Sequence, residues 1–255
     1  MIMRTAKAIA ILWLRDMKRF FRSPSRIIGN IVIPFFLLVS IGAGFGRAMI
    51  PGIKEGTTYL GFLVPGMLGM TMLFSGMFSG LSVLWDRQFG FLKEIMVAPV
   101  SRVAIVIGRI VSGATIGVFQ AVMILIASQF LGFRFSLLVL PAAVGFMMLI
   151  SFIFTSIGLI FASRMKDEQG FGLVMNFLIM PVLFLSGAFA PITNLPSWVQ
   201  VASFADPLTY GIEGLRALLI GSSAIPIFLC AMVCTVSAVV LVLIAAWAFE
   251  TSEVV

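Results

Sequence analysis

The chain has 255 residues, of which 61% are hydrophobic and only 11% are charged. This composition excludes a water-soluble globular domain. The formal net charge is +7, but the basic residues lie between apolar blocks rather than on one folded face, which argues against a nucleic-acid partner.

The first segment, residues 1–26, is predicted to form an interfacial amphipathic helix. Between residues 4 and 22 its basic side chains lie along one helical side and large apolar side chains lie along another. The basic set is Arg4, Lys7, Arg15, Lys18 and Arg22, and the apolar set is Ile9, Trp13, Met17 and Phe20. We expect this helix to lie on the inner leaflet, either as a topology anchor or as a binding site for a regulatory partner.

Six stretches contain no Asp, Glu, Lys or Arg and reach the roughly 20 residues that a helix needs to cross a bilayer. They are 27–46, 59–84, 110–131, 137–162, 171–190 and 224–249. Because they lack the alternation of barrel strands, only helices can satisfy their backbone hydrogen bonds in lipid. The predicted fold class is therefore an all-α membrane protein, with a transmembrane domain over 27–249 and a tail over 250–255.

The basic residues between the spans predict the orientation. With a cytoplasmic N-terminus, every lysine and arginine lies inside except Arg47, Lys54, Arg134 and Arg216. This asymmetry follows the positive-inside rule, so both ends of the chain are expected in the cytoplasm.

The second predicted span carries Gly69, Gly76 and Gly80 on one face. Gly76 and Gly80 form a GxxxG pair, which allows two helix backbones to approach closely. Two interpretations stay open: packing within the subunit, or a dimer contact or pathway wall.

The loop DRQFGFLKEIMVAPVSR, residues 86–102, mixes charges with large apolar side chains. It predicts a short amphipathic helix that ends near Pro99. Such a helix either rests on the membrane surface or docks into a groove of a cytoplasmic protein.

The segment 191–221 is interrupted by Pro191, Pro196 and Pro207. It is too polar and too broken to cross the membrane as one helix. We expect it to enter the outer leaflet as short re-entrant helices.

Several kinds of chemistry are missing from the chain. It has no histidine and no Gly-Lys-Ser or Gly-Lys-Thr phosphate-binding sequence. This argues against ATP hydrolysis and against histidine- or zinc-based hydrolysis. The charge-free spans also argue against a proton- or ion-coupled carrier. The prediction is a non-catalytic membrane protein without a cofactor of its own.

The chain contains the segments FGFLKEIMVAPVSRVAIVIGRI, which begins at Phe89, and LPSWVQVASFADPLTYGIEGLRALL, which begins at Leu195. Both segments resemble signatures of ABC-2 type transporter permeases, the membrane subunits that include daunorubicin-resistance-like and Nod-factor-export-like proteins. With the N-terminal helix and the six spans, the similarity extends over essentially the whole chain. One departure is Asp206, where the family frequently has Asn before proline.

The resemblance implies half of an exporter in a prokaryotic plasma (inner) membrane. Two permease subunits, identical or different, would form the pathway, and two separate cytoplasmic ATPase subunits would bind ATP and Mg²⁺. The cargo would be amphiphilic, such as a drug-like, lipid or glycan-type molecule. By position, the ATPase-coupling residues would be Phe91, Leu92, Lys93, Glu94, Ile95, Met96, Pro99 and Arg102. The outer re-entrant residues would be Pro207, Tyr210, Glu213 and Arg216.

Two other functions stay open on the residues alone. A channel or facilitator also fits six spans but needs no coupling helix. A membrane-embedded enzyme would have to use Asp206, Glu213 and Arg216 as its acid and base groups.

Overall fold

The computed structural model describes residues 2–45, 58–88, 101–165 and 167–251 of the chain. Within these ranges every regular element is a helix, which confirms the predicted all-α class. In chain order the α-helices are α1 (Ile2–Phe21), α2 (Pro24–Phe45), α3 (Tyr59–Ser79), α4 (Leu81–Gln88), α5 (Arg102–Phe130), α6 (Leu140–Arg164), α7 (Glu168–Leu185), α8 (Ser197–Ala205), α9 (Pro207–Leu219) and α10 (Ile227–Glu250).

Among the described residues, five segments are long and apolar enough to cross a membrane. They are Tyr59–Asp86, Arg102–Phe130, Leu137–Arg164, Glu168–Leu185 and Ile227–Glu250. These segments correspond to the second through sixth predicted spans. The first predicted span falls in α2, where the apolar stretch Ile31–Gly42 is shorter.

Two helix boundaries differ from the prediction for local reasons. Helix α5 begins before the charge-free stretch, because the Ser101 hydroxyl caps it by accepting the Ala104 N–H over 3.3 Å. Helix α7 ends before residue 190, because the chain turns at Gly187 with a φ of +70°, a conformation that favours glycine.

Side-chain contacts bring basic residues that were predicted to be cytoplasmic to one end of the bundle. Arg102 donates to the Glu250 carbonyl over 2.7 Å, which joins the beginning of α5 to the end of α10. Arg164, at the end of α6, lies over the Trp247 ring of α10, with 5.8 Å from the guanidinium carbon to the ring centroid. We call this the basic end of the bundle.

Helix α3 runs through the centre of the bundle with nearly all of its side chains buried. Glycines permit this position. A Cβ on Gly80 would lie 2.3 Å from the Gly158 carbonyl oxygen of α6, and one on Gly76 would lie 2.9 Å from the α6 backbone. A Cβ on Gly69 would lie 2.6 Å from the Ile212 side chain of α9. All three predicted glycines therefore contact helices of their own chain, which favours packing within the subunit over the dimer contact or pathway wall.

Helix α1 packs along α5 instead of laying its apolar side on the leaflet. The Trp13 Nε1–H donates to the Thr115 hydroxyl over 3.1 Å. Further along, the Phe20 ring approaches the Phe119 ring with a centroid separation of 6.1 Å. The apolar side that the sequence pattern assigned to the membrane is thus covered by the protein, because α5 offers it an equally apolar surface.

Each proline of the segment 191–221 stands at the beginning of a short helix. Pro191 precedes the 3₁₀ turn Ile192–Asn194, Pro196 precedes α8, and Pro207 is the first residue of α9. Proline fits there because the first N–H groups of a helix have no intrahelical acceptor. The prediction of short helices is confirmed, and α9 packs against α3, α6 and α10.

Candidate functional site

Five charged side chains meet at the basic end, between α1, α4 and α5. They are Arg15, Asp16, Arg19, Asp86 and Arg109, and we call them the charge cluster. Arg109 of α5 pairs with Asp16 of α1 over 3.1 Å and with Asp86 of α4. Arg15 and Arg19 of α1 contact Asp86 over 3.1 and 3.4 Å. Ion pairs thereby join the three helices.

The centre of the charge cluster is buried, with Arg109 4% exposed and Asp86 5% exposed. Three guanidinium groups face two carboxylates, so one positive charge is in excess. Arg19 also lies over the Trp85 ring, with 5.6 Å from the guanidinium carbon to the centroid. A buried ion adds stability only while its partners compensate it, and removal of one partner strands the others. Each buried side chain of the charge cluster therefore needs the other members to compensate its charge.

The charge cluster borders the predicted ATPase-coupling segment on both sides in the chain. Asp86 precedes this segment and Arg109 follows it. Residues 89–100 lie outside the described residues, and with them the predicted coupling residues Phe91, Leu92, Lys93, Glu94, Ile95, Met96 and Pro99. Arg102 is exposed at the beginning of α5. The structure thus describes the flanks of the segment, while its coupling role stays a prediction.

In the sequence pattern Arg15 and Arg109 are topology signals, and the charge cluster is not apparent. A signal was available at Asp16, which is four residues from both Leu12 and Phe20 and so lies on the buried side of α1. An acidic residue on a buried helical side requires a basic partner. The identity of that partner, Arg109, is a tertiary contact between residues far apart in the chain.

A second charged pair is buried at the opposite end of the bundle. Arg216 and Glu213 of α9 form an ion pair, and they are 2% and 3% exposed. Arg216 also donates to the Gly187 carbonyl over 2.7 Å, and Glu213 accepts the Ala224 N–H over 2.6 Å. The Arg216 guanidinium lies 3.7 Å from the centroid of the Phe62 ring in α3. The pair therefore ties α9 to both neighbouring loops and to α3.

The structure brings all four predicted outer residues together on α9. Pro207 begins the helix, and the Tyr210 hydroxyl donates to the Phe204 carbonyl over 2.9 Å. Glu213 and Arg216 line a cavity of 140 Å³ with Phe62. Because both charged groups are paired internally, they act here as fixed structural ions rather than as an acid and a base.

Asp206 caps α9 and is buried. Its Oδ1 accepts the Leu208 N–H over 2.9 Å, whereas its Oδ2 has no hydrogen-bond partner among the described residues. Burial raises the pKa of this carboxyl to about 7. The folded protein therefore holds a proton that the unfolded chain releases near pH 4. The free energy of unfolding should fall by up to about 1.4 kcal/mol for each pH unit between roughly 4 and 7.

Asp206→Asn is expected to flatten this pH dependence, because asparagine keeps the capping oxygen and carries no charge. The measurement is the unfolding temperature of the purified chain in detergent at pH 5 and pH 8. The wild type should lose stability at pH 8, and the variant should lose less. Parallel pH profiles of the two proteins would contradict the assignment of this proton to Asp206.

An apolar groove of 520 Å³ lies between α2, α3 and α7. Its lining is almost entirely hydrophobic. It includes Ile33, Leu37, Met70, Phe74, Leu183 and Phe184. None of the three predicted glycines of α3 lines it. The groove can hold an alkyl or aromatic group but offers it few hydrogen bonds.

Comparison with known proteins gives consistent matches along the chain. A family model described as ABC-2 type transporter matches residues 7–220. The ycf38 transport permease of Pyropia yezoensis is 34% identical over 221 residues, which cover 82% of this chain and 73% of the relative. The inner membrane transport permease YadH of Escherichia coli (strain K12) is 27% identical over 222 residues, which cover 86% of each chain. Nodulation protein J of Rhizobium leguminosarum bv. viciae is 27% identical over 198 residues, which cover 76% of this chain and 75% of the relative.

Proposed function

Since this chain belongs to the ABC-2 type transporter family and is its non-catalytic membrane permease subunit, we propose that it forms half of an ATP-driven exporter. It has six membrane spans, and both ends of the chain lie on the cytoplasmic face of a prokaryotic plasma membrane. Separate ATPase subunits bind ATP and Mg²⁺. A second permease subunit completes the pathway.

The length of α2 and the charge distribution support this topology. Helix α2 has 22 residues, a length of about 33 Å, which suits a tilted first span. Arg102, Arg109 and Arg164 all lie at the basic end of the bundle. That end would face the cytoplasm under the positive-inside rule.

The charge cluster is the observation that carries the proposed coupling. Asp86 and Arg109 stand on either side of the segment 89–100, and ion pairs join both to α1. A force that an ATPase subunit exerts on this segment would therefore reach α1, α4 and α5 together. The coupling contacts are Phe91, Leu92, Lys93, Glu94, Ile95, Met96, Pro99 and Arg102. Differential binding of the ATPase to two permease conformations would supply the work.

The apolar groove supports an amphiphilic cargo, such as a drug-like, lipid or glycan-type molecule. Met70 and Phe74 face it from α3, and Leu183 faces it from α7. Such walls accept an apolar tail, and methionine adapts to different shapes. In this proposal the re-entrant residues Pro207, Tyr210, Glu213 and Arg216 shape the outer end of the path.

Glu94→Arg is expected to leave the protein inserted in the membrane while abolishing co-purification of the ATPase subunit. The reversed charge would repel a site that normally accepts a carboxylate. The measurement is gentle extraction from native membranes, mass spectrometry of the proteins that co-purify, and an ATPase assay on the complex.

Glu250→Arg provides the matched control, since Glu250 is an exposed glutamate at the same end of the bundle. It should retain the ATPase. Normal transport and ATPase binding by Glu94→Arg would contradict the coupling assignment. If the wild-type chain purified alone and conducted or catalysed without nucleotide, a channel or an enzyme would replace the exporter.

A further inference from the structure

The surface of α1 that its contacts with the bundle leave exposed combines basic and large apolar side chains. We call it the outward face, and it consists of Lys7, Ile11, Leu14, Lys18, Phe21 and Arg22. Successive members are mostly three or four residues apart, so they form one stripe along the helix. Ile11 is 66% exposed, Leu14 47% and Phe21 58%. The opposite side of α1 is covered by its contacts with the bundle.

The contacts of α1 advance along α5 towards the middle of the bundle. Leu12 packs against Gly108 of α5, where an added Cβ would lie 3.2 Å from the Leu12 side chain. The Phe21 ring reaches the Phe119 ring with a centroid separation of 5.5 Å. Phe119 lies about 14 Å beyond the beginning of the charge-free stretch of α5 at the helical rise. In the proposed topology, on which this inference rests, the outward face therefore passes through the inner leaflet.

The outward face fits neither water nor hydrocarbon as its surroundings. Three large apolar side chains at this exposure are unfavourable in water, and three cations are unfavourable in hydrocarbon. Lys7, Lys18 and Arg22 form no ion pair with any residue that the structure describes. The neighbouring charge cluster cannot neutralise them, because it carries an excess positive charge itself. A leaflet with anionic headgroups suits both sets of side chains.

We propose that the outward face of α1 is a binding site for anionic phospholipid. The phosphodiester groups pair with Lys7, Lys18 and Arg22, the deeper of which extend their long side chains towards the headgroups, and the acyl chains cover Ile11, Leu14 and Phe21. Bound lipid holds α1 against α5. Because Arg15 and Asp16 of the same helix belong to the charge cluster, the bound lipid also stabilises the cluster that flanks the coupling segment.

The test is lipid binding by the purified chain alone, without ATPase subunit or nucleotide. Native mass spectrometry compares phosphatidylglycerol with phosphatidylcholine of the same acyl chains. We expect the wild type to prefer phosphatidylglycerol at least tenfold, since each cation near an anionic surface contributes about fivefold. The triple variant Lys7→Gln, Lys18→Gln and Arg22→Gln should lose this preference.

Two controls separate charge from folding and from position. Lys7→Arg with Lys18→Arg keeps the charges and should keep the preference, and Arg134→Gln removes an exposed arginine outside α1 and should not change it. The triple variant should match the wild-type unfolding temperature in phosphatidylcholine and gain less from added phosphatidylglycerol. Equal binding of both lipids by the wild type would overturn the proposal, as would an unchanged preference in the triple variant. A triple variant that lost the ATPase subunit but kept the lipid preference would instead assign the face to the ATPase. The lipid preference of the wild type and its loss in the triple variant can both be measured whether or not the chain exports a substrate.

Discussion

Arg109→Met is expected to destabilise the protein by about 3–5 kcal/mol and to abolish coupled transport, because it removes the most buried partner of the Asp16 and Asp86 carboxylates. Arg109 is 4% exposed, whereas the side chains of Arg15 and Arg19 are 27% and 43% exposed. Arg15 contacts both Asp16 and Asp86, over 3.0 and 3.1 Å, but these two arginines lie nearer the surface, so neither fills the buried position that Arg109 leaves. The measurements are the unfolding temperature in detergent and ATP-driven export in reconstituted vesicles.

The double variant Arg109→Met with Asp86→Asn distinguishes charge from packing. It also neutralises Asp86, the more buried of the two carboxylates that lose Arg109, so it should recover part of the lost stability but not the coupling. Arg134→Met, a substitution of an exposed arginine, should stay within about 0.5 kcal/mol of the wild type. If Arg109→Met unfolded at the wild-type temperature, the charge cluster would not hold the three helices together.

Gly158→Ala is expected to prevent stable folding, because no side chain fits where α6 crosses α3. A Cβ on Gly158 would lie 2.3 Å from the Met77 carbonyl oxygen and 3.0 Å from the Gly76 carbonyl oxygen. Backbone atoms in the middle of a helix cannot move aside as a side-chain tip can. The two helices must separate along their buried contact, at a cost of about 3 kcal/mol or more. The measurement is the amount of folded, monodisperse protein extracted from membranes.

Gly145→Ala on the same helix is the matched control. A Cβ there would have no atom within 4 Å. The substitution should therefore be neutral or stabilise the helix by up to about 1 kcal/mol, since alanine is the better helix former. Equal losses of folded protein in the two variants would contradict the explanation that the contact with α3 requires the glycine at position 158.

Within the described part of the chain, the residues alone were sufficient to predict the long helices. A charge-free stretch of about 20 residues forms a helix in a bilayer, because lipid offers no hydrogen-bond partner to an unpaired backbone group. The prolines at positions 191, 196 and 207 likewise predicted that the segment 191–221 is divided into short helices, since proline acts through its own ring. The family resemblance rested on contiguous segments, and the family match over residues 7–220 confirms it.

Which helical faces meet depends on how the whole chain packs, and no single segment shows it. The GxxxG pattern of Gly76 and Gly80 predicted a close approach of backbones, but it could not identify α6 of the same chain as the partner. The apolar side of α1 looked suited to lipid and instead packs on α5. The charge pattern counted Arg109 only as one of the basic residues on the inside, yet it is joined to Asp16 across more than ninety positions of the chain. The backbone hydrogen bonds of a helix form within one segment, so each segment's own sequence predicts them. The pairing of buried charges and small residues depends on distances that exist only when all the helices have packed.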